Sequence, residues 1–398
     1  LLSNVLQHLE AVKPYAFMPS EQARALTQSL YAPSPQEGSM FLTTTRPNVM
    51  LVVFEGWSAD VVEGLGGMEG MAPRLSGLIR EGLSFDSCYA SGNLSDQGMG
   101  AVFSAYPAQP RTSIVTIPSK YPSLPALPAT FRKAGYASSF VFGGQLMYGN
   151  IRSYMYHCGF DRIEEEADFP ESVYRGRLGV HDGDLYRRQL QVMDALKPPF
   201  FSAVFTQSTH GPYDIPGKRQ NPFEGQHADY LQSLQYADSA LGAFMDAARS
   251  RPWFSNTLFV FVSDHHHDTP RGYSYHSPQY RRIPLVFYGP VLKPEFRGRQ
   301  EHRICSQLDL AATLLAQCAM DASEYQWSRN LMQPGTPESA CYTFDEGVGI
   351  KVPNAQVVWW QNEQRMGFDI AARKSQRDSL LRVAKAFLQR LTEDFDAR

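Results

Sequence analysis

No stretch of this sequence is apolar for the roughly 18 residues that a membrane-spanning helix needs. No secretory leader is visible, and the chain starts at Leu1 instead of Met, which reads as an excised or processed piece of a longer protein. Cysteine is scarce: Cys88, Cys158, Cys305, Cys318 and Cys341, an odd count with no CxxC pair. That spacing excludes a zinc ribbon, and a dense disulfide scaffold does not suit a chain of 398 residues. Buried free thiols, with at most one bridge, are the expectation. There is no polybasic run, and the formal net charge of -3 excludes a general attraction to nucleic acid or to anionic lipid. Repeats and low-complexity tracts are absent. Charged residues are few, at 19%, and aromatic residues make up 12%, so the composition excludes disorder and suits a well-packed globular chain.

What is present is organised around two apolar runs. Val49-Met50-Leu51-Val52-Val53-Phe54 ends in Glu55, and Val260-Phe261-Val262-Ser263 ends in Asp264-His265. Uninterrupted runs of this length read as strands buried on both faces, as in a parallel sheet. Residues at their ends sit at the carboxyl edge, where open α/β sheets carry their ligand crevice. Two further predicted strands end in polar or glycine clusters: 138–142 in Gly143-Gly144, and 199–205 in the segment that contains His210. Helices are expected between the strands, at 73–81, 129–134, 151–158, 182–196 (with Asp182 as N-cap), 228–248 and 306–317. A strand is expected over 83–89. The alternation predicts an α/β fold, a parallel-rich sheet flanked by helices. Residues 1–47 read as an N-terminal helix (1–12) and a linker broken by Pro33, Pro35 and Gly38. Residues 48–320 form the main domain. Residues 321–398 form a small C-terminal β+α subdomain, with strands near 342–344 and 356–361 and an amphipathic helix over 373–395.

Glu55, Asp264 and His265 supply hard oxygens and an imidazole suited to one divalent cation such as Mn²⁺, Zn²⁺ or Mg²⁺. A carboxylate ending a buried strand is costly unless it is paired or ligating. The competing reading makes Asp264 a cap of the next turn. His266 and His267 read as solvated loop histidines, because a loop does not easily aim three consecutive rings at one ion. Ser95 precedes the short helical stretch Met99–Phe103, where unpaired N–H groups favour an anion, so it is either a nucleophile or a plain N-cap. The Gly-x-Ser-x-Gly elbow is absent around it. His210, in Thr209-His210-Gly211-Pro212-Tyr213, is either a proton donor to a phosphoryl group or a loop histidine. Arg152, in Gly149-Asn150-Ile151-Arg152, is either a bidentate phosphate clamp or a surface arginine.

Taken together, these motifs resemble the alkaline phosphatase and sulfatase superfamily. The nearest likeness is to the extracytoplasmic domain of lipoteichoic acid synthases and related proteobacterial phosphoglycerol transferases. The resemblance runs from about Pro47 to Leu315. It implies an alkaline phosphatase-like fold, a metal held by Glu55, Ser95, Asp264 and His265, Ser95 as nucleophile, and Asn150, Arg152 and His210 on the substrate. Three departures stand out. Ser95 replaces the Thr of lipoteichoic acid synthases, and Gly56-Trp57 replaces a polar neighbour of the Glu. Ser95-Asp96-Gln97-Gly98-Met99 lacks the Pro and Arg of the C/S-x-P-x-R signature from which sulfatases make formylglycine. The resemblance implies transfer of phosphoglycerol from a lipid such as phosphatidylglycerol to a glycan or glycerophosphate-polymer hydroxyl. It also implies N-terminal membrane spans in the parent protein and a periplasmic or extracytoplasmic site at the inner membrane. A phosphodiesterase, a phosphoethanolamine transferase and an inactive binding domain are the alternatives.

Overall fold

The computed structural model describes residues 15–32, 36–217 and 221–398. Its centre is an eight-stranded sheet. In chain order the strands are β1 (Asn48–Phe54), β2 (Leu83–Phe85), β3 (Ala137–Phe142), β4 (Arg162–Glu164), β5 (Phe200–Phe205), β6 (Thr257–Ser263), β7 (Leu285–Tyr288) and β8 (Arg299–Glu301). Across the sheet they lie in the order β8-β2-β7-β6-β1-β5-β3-β4. Every pairing is parallel except those of β7 with β6 and β2. The four strands expected to end in functional clusters are therefore neighbours that point the same way.

Both faces of the central strands are covered, and the covering follows the pleat. Val49, Leu51 and Val53 of β1 join one core, with Leu258, Val260 and Val262 of β6. Met50, Val52, Phe54, Phe259 and Phe261 join the other. Every residue of β1 and β6 is buried, which is why these strands show as unbroken apolar runs. Helices Ser95–Ser104, Ile151–Cys158 and Leu310–Gln317 cover the first face. Helices Pro73–Glu81, Asp182–Ala195 and Ala228–Ala248 cover the second.

The predicted strand over 83–89 is split into Leu83–Phe85 and Cys88–Tyr89, and the second piece joins a separate three-stranded sheet. The C-terminal region is a four-stranded antiparallel sheet, β9 (Ala340–Phe344), β10 (Gly347–Val352), β11 (Ala355–Trp360) and β12 (Arg365–Ile370), followed by helix Lys374–Ala397. Its Val348, Ile350, Val357 and Phe387 belong to the same core as the first sheet face. The expected helix over 1–12 lies outside the described residues. The stretch read as linker holds a helix, Ser20–Tyr31, which buries only Ala23, Thr27 and Leu30. The C-terminal helix fastens the segment before it, where Gln389 Oε1 accepts N–H bonds from Phe17 (2.8 Å) and Met18 (3.1 Å). All five cysteines are buried and free. Among the described residues no helix is long and apolar enough to cross a membrane.

Candidate metal centre and nucleophile

Register places the strand ends level with one another. Phe54 pairs with Ser263, so Glu55 and Asp264 emerge side by side at the carboxyl edge. The backbone there is held from several sides. Glu55 N donates to Thr206 Oγ1 (3.0 Å), and Thr209 Oγ1 donates to Glu55 O (2.5 Å). Tyr230 Oη donates to Gly56 O at 2.9 Å. Gly56 has φ +62, and a Cβ there would stand 3.6 Å from His265 Cε1 and 3.7 Å from His267 Cβ. Trp57, the other departure from the family pattern, is core: it is 1% exposed and stacks on Phe54 at 4.4 Å.

Four side chains converge at this edge. Ser95 is the first residue of helix Ser95–Ser104, and Leu94 occupies the N-cap, so the plain N-cap reading does not apply to Ser95. Its hydroxyl donates to Glu55 Oε2 at 2.9 Å and lies 3.4 Å from His265 Nε2. His265 Nε2 is also 3.3 Å from Glu55 Oε1 and 3.4 Å from Asp264 Oδ2. One ligand atom from each of Glu55, Asp264 and His265 lies within 4.8 Å of the others. Gly98 brings the helix this close, since a Cβ there would meet Asp264 Cβ and O at 2.6 Å.

The donor set fits a divalent cation. Asp264 is fully buried; its Oδ1 accepts from Gly56 N (2.8 Å) and His265 N (2.6 Å), while Oδ2 has no hydrogen-bond partner. An unpartnered buried carboxylate oxygen facing a second carboxylate is costly without a counter-charge. His265 Nδ1 lies 2.9 Å from His266 O, a contact that places a proton on Nδ1 and leaves Nε2 facing the carboxylates. The electrostatics of the cluster show the same surplus of acid. Burial, then the Glu55 charge, pushes Asp264 up to about 8 against the pull of His265. Burial alone would lower His265, but Asp264 and Glu55 raise it to about 10. Burial also acts to raise Glu55, yet the His265 contact, the His265 and His210 charges and the Ser95 hydroxyl together leave it below its ordinary value.

His266 and His267 are not solvated as expected, and neither joins the cluster. His266 is 3% exposed, with Nε2 3.3 Å from Asp60 Oδ2. His267 stacks on Tyr230 at 3.9 Å, with its Nε2 2.7 Å from Tyr213 Oη. The loop folds back over β1, where Asp60 and these two tyrosines supply partners that local sequence does not show. His210 is exposed, and its charge reaches Glu55. Arg152 forms an ion pair with Glu165, and Asn150 Nδ2 donates to Thr116 O at 2.8 Å. Among the described residues no hydrogen bond or ion pair joins Arg152 or Asn150 to the four-residue cluster.

Two supports escaped sequence reasoning. Gln307 is fully buried; its Nε2 donates to Ser263 O (3.0 Å) and Asp264 O (2.9 Å), and its Oε1 accepts from Ser91 N (2.7 Å). It thus ties the end of β6 to the segment leading to Ser95. Asp182 is not an N-cap; His181 takes that position. Its Oδ1 instead accepts from Gln207 N (3.0 Å) and Ser208 N (3.1 Å), which fixes the loop to His210. A buried polar side chain outside any periodic pattern was the only signal for either.

Comparison with known proteins covers most of the chain. The Sulfatase family profile matches residues 47–319. Lipoteichoic acid synthase 1 of Bacillus subtilis (strain 168) is 23% identical over 225 residues, 52% of this chain and 34% of that protein. The chain thus spans about a third of that relative's length. A crystal structure of a protein in the alkaline phosphatase superfamily from Vibrio parahaemolyticus superposes with TM-score 0.82 and 25% identity, covering 96% of this chain and 97% of the other. The lipoteichoic acid synthase LtaP from Listeria monocytogenes superposes with TM-score 0.74 and 14% identity over 95% and 98% of the two chains. The fold is alkaline phosphatase-like.

Proposed function

The chain belongs to the sulfatase family, and from that premise we propose that it is a metal-dependent phosphotransferase. It moves phosphoglycerol from a lipid such as phosphatidylglycerol to a glycan or polymer hydroxyl through a covalent ester of Ser95. The observation that carries this reading is the Ser95 hydroxyl, 2.9 Å from Glu55 and 3.4 Å from His265, beside the unpartnered Oδ2 of Asp264. Sulfate-ester hydrolysis is disfavoured, because Ser95-Asp96-Gln97-Gly98-Met99 lacks the residues that formylglycine formation requires.

Glu55, Asp264 and His265 would hold one divalent cation, with Mn²⁺ suited to the mixed oxygen and imidazole donors. When bound, it supplies a Lewis acid that lowers the pKa of a neighbouring hydroxyl and offsets phosphoryl charge. Ser95 gives up its proton towards Glu55 and forms a bond to phosphorus, while the bond from phosphorus to the diacylglycerol oxygen breaks. His210, on the open side, hands a proton to the departing alkoxide. Arg152 and Asn150 leave Glu165 and the Thr116 carbonyl for the phosphoryl oxygens, where positioning and charge dominate such transfers. The acceptor hydroxyl then gives its proton to His210 and bonds to phosphorus, the bond from Ser95 to phosphorus breaks, and Ser95 recovers its proton from Glu55. The donor places the domain at the outer face of a cytoplasmic membrane, within a longer membrane-anchored protein.

Ser95→Ala tests this reading. Diacylglycerol release from phosphatidylglycerol is expected to fall by at least about 100-fold; undiminished release removes Ser95 from the chemistry. Product analysis with and without an added glycan separates transfer from hydrolysis.

A further inference from the structure

Seven large apolar side chains stand exposed among the described residues, and five of them lie on segments that border the crevice. Leu94 (45% exposed) immediately precedes Ser95. Met147 (69%) and Tyr148 (83%) stand on the loop that leaves the carboxyl end of β3. Tyr174 and Leu178 flank the tip of the hairpin Arg175–Gly176/Gly179–Val180.

These segments are tied to one another and to the crevice. Val180 N donates to Gly143 O at 2.8 Å, joining the hairpin to the β3 loop. Arg177 N donates to Asp214 Oδ2 at 2.7 Å, joining it to the chain just beyond His210. Asn150 donates to Thr116 O, in the turn Ile114–Thr116, against which Gly100 of the Ser95 helix packs. The exposed side chains therefore ring the mouth of the site.

Isolated exposed apolar residues need no explanation, but a cluster at the mouth of a site marks a contact surface. Its chemistry distinguishes the partner. Sugars stack on aromatic rings and gain little from Leu or Met. Aliphatic chains beside tyrosines suit the boundary between lipid headgroups and acyl chains. The local charge agrees. Glu166 is paired with Arg175. Arg177, exposed at the hairpin tip, forms no salt bridge among the described residues, so it is free to meet an anionic headgroup.

We propose that Leu94, Met147, Tyr148, Tyr174 and Leu178, with Arg177, form a collar that seats the crevice on an anionic phospholipid surface. This rests on the reading of the site as one that takes a lipid phosphodiester. A collar of this kind dips into the headgroup region and presents the donor's phosphorus to Ser95 without drawing the lipid far from the bilayer.

The test is flotation of the chain with vesicles of phosphatidylcholine alone, or with about a quarter phosphatidylglycerol. The wild type and Ser95→Ala are both expected to float with anionic vesicles. Met147→Ser with Tyr148→Ser should weaken partition by at least about ten-fold. Arg177→Glu should weaken it several-fold on anionic vesicles and little on neutral ones. Thermal unfolding of these surface variants is expected to match the wild type, as is the double variant's hydrolysis of bis(p-nitrophenyl) phosphate, a soluble diester. Activity on vesicle phosphatidylglycerol should fall with partition. A wild type that stays unbound, a double serine variant that floats undiminished, or binding to a soluble glycan in place of vesicles overturns the collar. If Ser95→Ala keeps its diesterase activity, the catalytic reading fails while the flotation result still judges the collar.

Discussion

His265 and His266 are neighbours in one loop, yet they sit in two different electrostatic settings. His265 faces two carboxylates and the Ser95 hydroxyl, and those carboxylates raise it to about 10. His266 faces one carboxylate, Asp60, which also accepts from Thr269 Oγ1 at 3.1 Å, and burial lowers His266 to about 4. The first setting has more acid than its own protons and hydrogen bonds satisfy, and Asp264 Oδ2 is left over. In the second, Asp60 is satisfied by side chains alone, and the atom left over is an uncharged one, His266 Nδ1, not a carboxylate oxygen. The comparison teaches that a histidine's place in a tract says little about ligation. What decides is whether the surrounding acceptors exceed the donors that the protein supplies.

The largest expected effect comes from removing the surplus. Asp264→Asn keeps the shape and the Oδ1 acceptor but removes one negative charge. It should weaken manganese binding, followed by titration calorimetry, by at least about 100-fold, with a parallel loss of transfer activity. Its unfolding temperature without metal should rise at neutral pH, because folding no longer has to hold a buried carboxyl up at about 8. Next in size is His266→Ala. It leaves Asp60 with fewer partners and opens a cavity, so chemical denaturation should show a loss of about 2 kcal/mol while manganese affinity stays near that of the wild type. Equal loss of metal from both variants would erase the distinction between the two settings.

The smallest effect concerns Asp182, which supports the His210 loop. Burial pushes its carboxyl up from 3.8 to about 6, against the hydrogen bonds from Gln207 and Ser208. A raised carboxyl binds more protons folded than unfolded, so its contribution is most favourable below 3.8 and is lost as pH rises to about 6. Asp182→Asn keeps the Oδ1 acceptor and should remove that slope and raise stability at neutral pH. Denaturant midpoints across pH 4 to pH 7, roughly the window of this titration, would show it.

The strands and the clustered side chains of the first setting were legible in the sequence for one reason. A strand buried on both faces rarely holds an ionisable residue, so Glu55 and Asp264 stand out at the ends of β1 and β6. Helices Ile151–Cys158 and Ala228–Ala248 matched their expected bounds, since a single buried face gives a clear period. The rest was hidden by the absence of such contrast. Helix Ser20–Tyr31 buries only three side chains, and β10 and β12 carry glycines and half-exposed faces. Asp60, Asp182 and Gln307 act through partners far away in sequence, so no local pattern marks them. Gly98 reads as an ordinary helical glycine until Asp264 is placed against it.

On the proposed reading, Glu55, Ser95, Asp264 and His265 surround a single divalent ion. Elemental analysis after dialysis against manganese tests it most directly. About one ion per chain is expected in the wild type and in His266→Ala, and close to none in Asp264→Asn. A wild type without bound ion, or an Asp264→Asn variant that retains it, would contradict the account.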